Sequence, residues 1–595
     1  MTSRFEPDEN NSEASPATPL QTSTTQAAEP EIAPVDDAED EAARAIRADL
    51  VELGFIAFDG QGASNATSSA MVSADRRRDF RRDVYVGIRD REQNKEFLGR
   101  VVEGPFHAPH EVASDSAITR TTILHPERTR FRPTYYAYGS IEVLGEVQQG
   151  ERVVPTSTRP RPYSELYMFP ANRLREMLGI SGDFYLGHLM GYERVPVHTD
   201  VSNKNFLPRN VGIFGTVGSG KSNTTQVLME EALDAGWAVV TIDVEGEYVR
   251  MNERTTDVQM ERILTGRHGL EPRGVTDLRV YVPSSGDTAA ANPIRFKVPL
   301  AALDHGIVSD ILEFSEAQVR MFGTITANAA RATRPPAAGR RGVLGGGQNV
   351  QPDRRYTLQD LIDGLNENEG EFPLLPRIRD YERSTAYTLQ SKLGRLARAG
   401  MLDSRGTANV PELPTHDLLV GGRLSVLDVS ETDDHSRNIA IAYVLQSLFQ
   451  VVIETAVGER MPNGVERPRL LVIIEEVHTF VSRAAATKMR SVLDTLQIIS
   501  RRGRKRWMAL GLVSQQPSHV PDELFELANT RFVHQLKSAS NLAPVRATTG
   551  GVHEALWTTI PALGSGQCLV TGAVFRNPLF VDIRPAQSRR LLSGD

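Results

Sequence analysis

Residues 211–225, VGIFGTVGSGKSNTT, constrain the fold more tightly than any other stretch of this chain. An apolar run, Val211 to Phe214, leads into Gly215-x-x-x-x-Gly220-Lys221-Ser222, and a stretch of helical character follows at once. Strand, glycine-rich loop and helix in that order make a phosphate-binding unit, and such units sit in parallel sheets. Gly215, Gly218 and Gly220 let the backbone curl so that its N–H groups converge on phosphate. Lys221 supplies a point charge for the β- and γ-phosphates, and the Ser222 hydroxyl is a ligand for Mg²⁺. The helix N-terminus adds partial positive charge. Thr216, Val217, Ser219 and Asn223 complete the stretch expected to wrap the nucleotide. The expected ligands are ATP and Mg²⁺.

The chain around this unit predicts the rest of the fold. From about residue 208 strands and helices alternate, the pattern of a mostly parallel sheet covered by helices. Strand candidates are Ala238–Asp243, Leu424–Val429, Leu470–Ile474 and Met508–Val513. Residues 300–412 instead show long helical periodicities, Leu303–Ala330, Leu358–Leu365 and Thr385–Ala399, and are expected to form a helical insertion. Within it, 331–354 is a Gly/Pro/Arg-rich loop expected to be mobile. Residues 46–205 have β texture, in short runs such as Asp83–Ile88, Phe97–Val102 and Ile141–Val147. The turn spacing fits a small barrel or sandwich, interrupted by a helix at Ala171–Leu178. The expectation is an α/β chain: a RecA-like ATPase domain at 206–595 preceded by a β-barrel domain.

Composition adds limits. The 595 residues carry a net charge of −8, so the chain as a whole is no basic nucleic-acid binder. The charge is uneven: residues 6–40 hold acids such as Glu6, Asp8, Asp36 and Asp40 with no Lys or Arg among them. That tail, 1–45, is too polar to bury much apolar surface and is expected to be disordered, with a short helix at 41–52. One cysteine, Cys568, excludes an internal disulfide framework. No apolar stretch approaches the roughly 20 residues of a membrane span, and the first 30 residues are polar. A cytoplasmic protein without membrane insertion is expected.

Hydrolysis needs carboxylates facing the phosphate loop. Residues 470–476, LLVIIEE, end an apolar strand in two acids, and ligands collect at the carboxyl ends of parallel strands. Glu475 is placed to hold the water shell of Mg²⁺ and Glu476 to polarise the attacking water. Residues 241–248, TIDVEGEY, bring Asp243, Glu245 and Glu247 to the same end, and VSQQPS (513–518) brings Gln515, which reads the γ-phosphate, positions water, or serves a turn at Pro517. The densest basic run, Arg501-Arg502-Gly503-Arg504-Lys505-Arg506, offers an arginine finger for a neighbouring subunit, a grip on phosphate backbone, or a solvated loop.

GTVGSGKSNT, DVEGEY, VIIEEVHTF, RRGRKRW, GLVSQQPS and ANTRFVHQLKS, in that order, resemble the HerA branch of the HerA/FtsK ATPases over roughly 184–590. The resemblance implies a homohexameric ring that couples ATP hydrolysis to movement on double-stranded DNA, in end processing with a NurA-like nuclease. By motif match it implies Lys221 and Ser222 as phosphate-loop residues, Asp243 and Glu247 as nucleotide-site acids, Glu476 as catalytic glutamate and Gln515 as sensor. It gives Arg504 as the arginine finger, Arg501 second, and Arg209 as a further active-site arginine. Four features depart from the pattern: the acidic tail, the insertion at 334–354, an enlarged barrel, and Gln516 where arginine is common. The departures leave a second function open, an ATPase subunit that regulates a partner in a defence or other complex without pumping DNA. In the ring reading, Arg331, Arg334, Arg340 and Arg341 are candidate pore contacts.

Overall fold

Two β-sheets organise the chain, a small closed one and a large open one. The structure, a computed structural model, describes residues 50–59, 67–73, 75–110, 112–127, 134–333, 355–368, 371–482 and 490–591. The acidic tail and the 334–354 loop, with Arg334, Arg340 and Arg341, lie outside these residues. From Val51 onward, barrel and large sheet form one unit.

The closed sheet uses β1 (Val51–Ile56), β2 (Thr67–Val72), β3 (Tyr85–Asp90), β4 (Lys95–Pro109), β5 (Tyr135–Gln148), β6 (Arg152–Val154) and β7 (Glu165–Met168). Its order is β2-β1-β7-β3-β4-β5-β6, and pairing of β2 with β5 from Thr67↔Glu142 to Val72↔Ala137 closes a six-stranded barrel. Closure removes the unpaired edges an open sheet would present. Inward residues Leu53, Val72, Val86, Ile88, Phe97, Val101, Ile141 and Leu166 fill it. The expected helix at 41–52 is contradicted at its end, because Val51 and Glu52 pair with β7.

The open sheet contains β8 (Phe184–Leu189), β9 (Pro196–Thr199), β10 (Val211–Phe214), β11 (Ala238–Asp243), β12 (Asp277–Pro283), β13 (Ile294–Phe296), β14 (Arg423–Asp428), β15 (Leu470–Ile474), β16 (Met508–Ser514), β17 (Thr530–Val533), β18 (Gln567–Thr571) and β19 (Leu579–Ile583). Its order is β13-β12-β14-β11-β15-β16-β10-β17-β18-β19-β8-β9. The strands from β13 to β17 are parallel, and those from β17 to β9 pair antiparallel. Strands covered on both faces read as unbroken apolar runs, and every residue of LLVII in β15 is buried. Each such side chain contributes roughly 1.5–3 kcal/mol on leaving water.

The expected barrel boundary at 205 is corrected here. β8 and β9 belong to the large sheet, since Gly187, His188 and Leu189 pair with Ile583, Asp582 and Val581 of β19. The barrel strands end at Met168, and the helix Ala171–Leu178 bridges to the sheet. Arginines fasten the two parts: Arg100 donates to the carbonyl of Pro578 at 2.8 Å, Arg82 to the Thr558 hydroxyl at 2.6 Å, and Arg576 to the carbonyl of Met177 at 2.9 Å.

The insertion between β13 and β14 is helical. The predicted periodicity at 303–330 divides into His305–Ile311 and Glu316–Thr333, separated by a turn in which Glu313 adopts φ 49°. Leu358–Gly364 and Arg383–Ala399 pack beside them through Leu361, Leu389, Leu393 and Leu396. The helix Asp434–Glu454 is long and apolar enough by composition to cross a membrane, yet 61% of its most apolar window is buried inside the protein. Its hydropathy serves the core.

Candidate functional site

Parallel strands deliver their following loops to one edge of the sheet, and β10, β11, β15 and β16 bring the sequence-predicted residues there together. After β10 the loop Gly215–Gly220 turns into the helix Lys221–Asp234. Gly218 and Gly220 adopt φ 74° and 106°, a region that side chains with a Cβ rarely enter. At Gly220 a Cβ would also lie 2.7 Å from the backbone nitrogen of Gly566. The loop is pinned from both sides. Thr216 N and Oγ1 donate to the carbonyl of Gln535 at 2.9 and 3.0 Å, and Gly566 N donates to the carbonyl of Ser219 at 3.0 Å. Val217 stands at the exposed tip, 80% accessible. Beneath the loop His534 is fully buried, bonded to Thr224 Oγ1 at 2.9 Å and to the carbonyl of Gln567 at 3.0 Å. Burial, with the Lys221 charge beside it, pushes its pKa down to about 3.

Lys221 is 5% exposed, with Nζ 3.5 Å from the carbonyl of Thr216. Burial lowers its pKa, and the opposing charges are Glu476 first, then Glu475, Glu245 and Glu247. Four glutamates from two loops therefore surround one lysine. Glu476 follows β15 in a left-handed conformation, φ 43°, that a non-glycine residue holds only under constraint. Its carboxylate accepts from Gln515 N at 3.2 Å and lies 3.2 Å from His478 Nδ1. Burial alone would raise its pKa, but His478, the Gln515 amide and Lys221 together bring it below the usual range. Glu476 stays ionised. Gln515 also reaches Glu245 at 3.5 Å through Nε2.

Glu475 has a different environment. It is 4% exposed, accepts from the Tyr248 hydroxyl, and is pushed well above the usual carboxylate range by burial and by the charge of Asp243. Asp243, expected to contact nucleotide, is bonded within its own loop. Its Oδ1 accepts from the backbone N–H of Glu245, Gly246 and Glu247 at 3.2, 2.7 and 3.2 Å, and its Oδ2 from Tyr248 N at 2.9 Å. It is fully buried, and burial raises its pKa to about 7 against those four bonds. Asp243 shapes the turn that carries Glu245 and Glu247 to the site. Glu247 faces Arg590 at 3.4 Å. Asn223 is likewise engaged by protein: it donates to the carbonyl of Arg584 and accepts from Ala586 N, each at 2.8 Å.

The three predicted arginines are elsewhere. Arg209 precedes β10, and Arg501 and Arg504 precede β16, which puts all three at the edge opposite the phosphate loop. Arg504 donates to Asn205 Oδ1 at 3.2 Å, Arg501 is exposed, and Arg209 lies half-buried. At that edge none of the three faces the phosphate loop of its own chain.

Sequence reasoning missed His478, Tyr248, His534 and the whole segment 564–590. That segment is held to the phosphate-loop helix by Glu230, which accepts from Arg584 Nη1 at 2.9 Å, Gln587 N at 2.9 Å, Ser588 N at 2.8 Å and Ser588 Oγ at 2.7 Å. Single acids in mid-helix carry no motif. Among the described residues no group of three or more His, Cys, Asp or Glu side chains is placed to hold a metal alone. Mg²⁺ fits the oxygen donors here as an ion completed by phosphate and water, its usual habit at such loops.

A parallel sheet with a glycine-rich phosphate loop at its carboxyl edge and an ionised glutamate facing the loop lysine defines a P-loop ATPase of RecA-like fold. Residues 184–448 match the helicase HerA central domain, DUF87. The chain is 24% identical over 467 residues to the probable DNA double-strand break repair helicase HerA of Methanocaldococcus jannaschii, covering 75% of this chain and 84% of that one. It is 21% identical over 472 residues to the DNA double-strand break repair helicase HerA of Pyrococcus furiosus, covering 75% and 77%. VirB4 of Thermoanaerobacter pseudethanolicus aligns with TM-score 0.40 at 13% identity over 68% of this chain and 97% of that one. The chain is thus similar to HerA helicases over these residues, and it is an enzyme that hydrolyses ATP.

Proposed function

We propose that the chain is an ATP-driven DNA translocase or helicase of HerA type, working in the cytoplasm as a hexameric ring on double-stranded DNA, in end processing beside a NurA-like nuclease. One observation supports this most: the residues expected to act in hydrolysis are divided between opposite edges of the sheet. Lys221, Glu476 and Gln515 lie at one edge, Arg209, Arg501 and Arg504 at the other. A complete site needs a second copy to present its arginine edge, and repetition of such a heterologous contact builds a ring.

Within a site, Gly215–Ser222 hold the phosphates and Lys221 neutralises their charge. Ser222 would hold Mg²⁺ and Glu475 its water shell, and the ion would supply further charge neutralisation on the phosphates. Glu476, kept ionised by His478 and the Gln515 amide, accepts a proton from the attacking water. Gln515 orients that water, Glu247 and the Asp243 turn keep the acids in register, and Arg504 of the neighbour stabilises charge on the transferring phosphoryl group. The test is steady-state ATP hydrolysis with and without linear duplex DNA, with Glu476→Gln as control. Stimulation by DNA, lost by about 10²–10⁴-fold in the variant, is the expected result. Hydrolysis that depends on Glu476 and ignores DNA would overturn the motor and leave an ATPase whose load is another protein.

A further inference from the structure

The outer wall of the barrel carries an uncovered row of large side chains. Phe55 of β1 stands opposite Met71 of β2, Met71 opposite Tyr138 of β5, and Tyr138 opposite Phe106 of β4. Ile56, Ala70, Val72 and Ala137, their neighbours along the strands, point inward and are buried. The four in the row point outward and are 45%, 41%, 42% and 48% exposed in that order. Exposed apolar residues standing singly are ordinary, whereas a contiguous row across four strands marks a binding surface. The rings continue along the β4–β5 ribbon. Phe106 lies 5.5 Å from Tyr138, Tyr138 lies 6.2 Å from Tyr136, and Tyr136 lies 5.1 Å from His110, centroid to centroid. One end of this file is basic. The turn after β2 carries Arg76, Arg77 and Arg78, with Arg81 just beyond, and Arg77 stacks 4.9 Å above the Tyr135 ring. Asp75 and Asp79 flank the three arginines, and Asp75 lies 3.9 Å from Arg76. Arg78 and Arg81 are exposed and form no ion pair among the described residues. The other border is polar: Ser69 stands opposite Ser140, whose hydroxyl donates to Glu103 at 3.2 Å.

We propose that this file of rings is a platform for one strand of unpaired nucleic acid, its bases stacking on Phe106, Tyr138 and Tyr136 and its phosphates passing to Arg77, Arg78 and Arg81. Proteins that hold single strands without sequence preference combine the same two parts, aromatic faces for the bases and a basic track for the backbone. A duplex keeps its bases inside the stack and has no free base face to offer the rings. A stable protein partner needs roughly 800 Å² on each side, whereas this file is one side chain wide and ends in arginines without acid partners. Glu103 at one border and the arginines at the other set the path: the phosphate chain runs on the arginine side, away from the carboxylate. The platform goes beyond the duplex-motor reading and does not depend on it, since holding a strand here needs no hydrolysis.

The test is fluorescence anisotropy of an end-labelled oligothymidine, and of a labelled duplex of equal length, titrated with the full chain. The variants are Phe106→Ala combined with Tyr138→Ala, then Tyr138→Trp and Arg78→Gln. Oligothymidine affinity should fall by about 10- to 100-fold in the double variant and stay within about twofold of wild type in Tyr138→Trp, which keeps a stacking face. Arg78→Gln should flatten the log–log salt dependence by about 0.7, the share of one phosphate contact on a single strand. Duplex affinity should be unchanged throughout, and hydrolysis without nucleic acid should keep its wild-type rate as a check on folding. Unchanged oligothymidine affinity in the double variant would overturn the platform and leave the row to a protein partner. Equal losses on oligothymidine and duplex would overturn it too, as would a Tyr138→Trp protein as weak as the double variant. Should the double variant fail to fold, Arg78 on its exposed turn decides: an unchanged salt slope overturns the proposal. Failure of the motor reading leaves a different trace, hydrolysis indifferent to duplex while oligothymidine binding still depends on Phe106 and Tyr138.

Discussion

Mixing two inactive variants, Lys221→Ala and Arg504→Ala, should restore hydrolysis. Arg504 precedes β16 and Gln515 follows it, and the seven residues of Met508–Ser514 between them span about 23 Å at 3.3 Å per residue. No arginine side chain crosses that distance around its own sheet, so an Arg504 that acts on nucleotide must act at a neighbour's site. Arg504→Ala alone should lose about 10³–10⁵ in rate, the usual worth of a trans arginine, and Lys221→Ala should be inactive. In assemblies mixed one to one, an interface joins an intact Lys221 to an intact Arg504 with a chance of one half times one half. Hydrolysis per subunit should then recover to about 25% of wild type if interfaces act independently, and less if they fire in concert. The assay is steady-state phosphate release from co-expressed, differently tagged variants purified through both tags. Doubly tagged assemblies no more active than either variant alone would refute the division of the site between subunits. So would an Arg504→Ala protein of wild-type rate.

Replacing the buried Glu230 with Gln should cost about 3 kcal/mol, because Arg584 is fully buried and would keep only Glu231 at 2.9 Å as a charged partner. Urea unfolding measures it, and a cost under about 1 kcal/mol would show that the clamp on residues 584–588 is not a structural element. His534 predicts an acid sensitivity. Its folded pKa of about 3 lies below the ordinary value of 6.5, so its contribution is full above pH 6.5 and is lost as pH falls toward 3. Between pH 6.5 and 5 wild type should lose about 1 to 2 kcal/mol in total more than His534→Gln, read from urea midpoints at each pH; parallel profiles would refute it.

Legibility in the sequence followed distance along the chain. Gly215 to Ser222 are contiguous, and β11, β15 and β16 announce themselves as apolar runs ending in Asp243, Glu475 and Ser514, because strands buried on both faces leave no room for polar alternation. The misplaced barrel boundary has the opposite cause. β8 looks like one more barrel strand until Leu189 meets Val581, and no local pattern encodes a partner almost 400 residues away. Asp243 was legible as an acid at the right edge but not as an acceptor, since its partners are backbone N–H groups that every sequence possesses. The arginines were legible as a basic run, whereas which edge they occupy came only from strand order.

The fastening of the barrel has a mechanical side. Arg100 in β4 grips the carbonyl of Pro578, the residue before β19, while β19 ends just before residues 584–588, which Glu230 and Asn223 of the phosphate-loop helix hold. Arg576, in the same approach to β19, holds the helix that leads out of the barrel. The barrel and the phosphate-loop helix thus engage the two ends of one five-residue strand, and a pull on the barrel would reach that helix along it. In a working assembly the load and the fuel would then meet through a single antiparallel strand, without strain having to travel across the parallel half of the sheet.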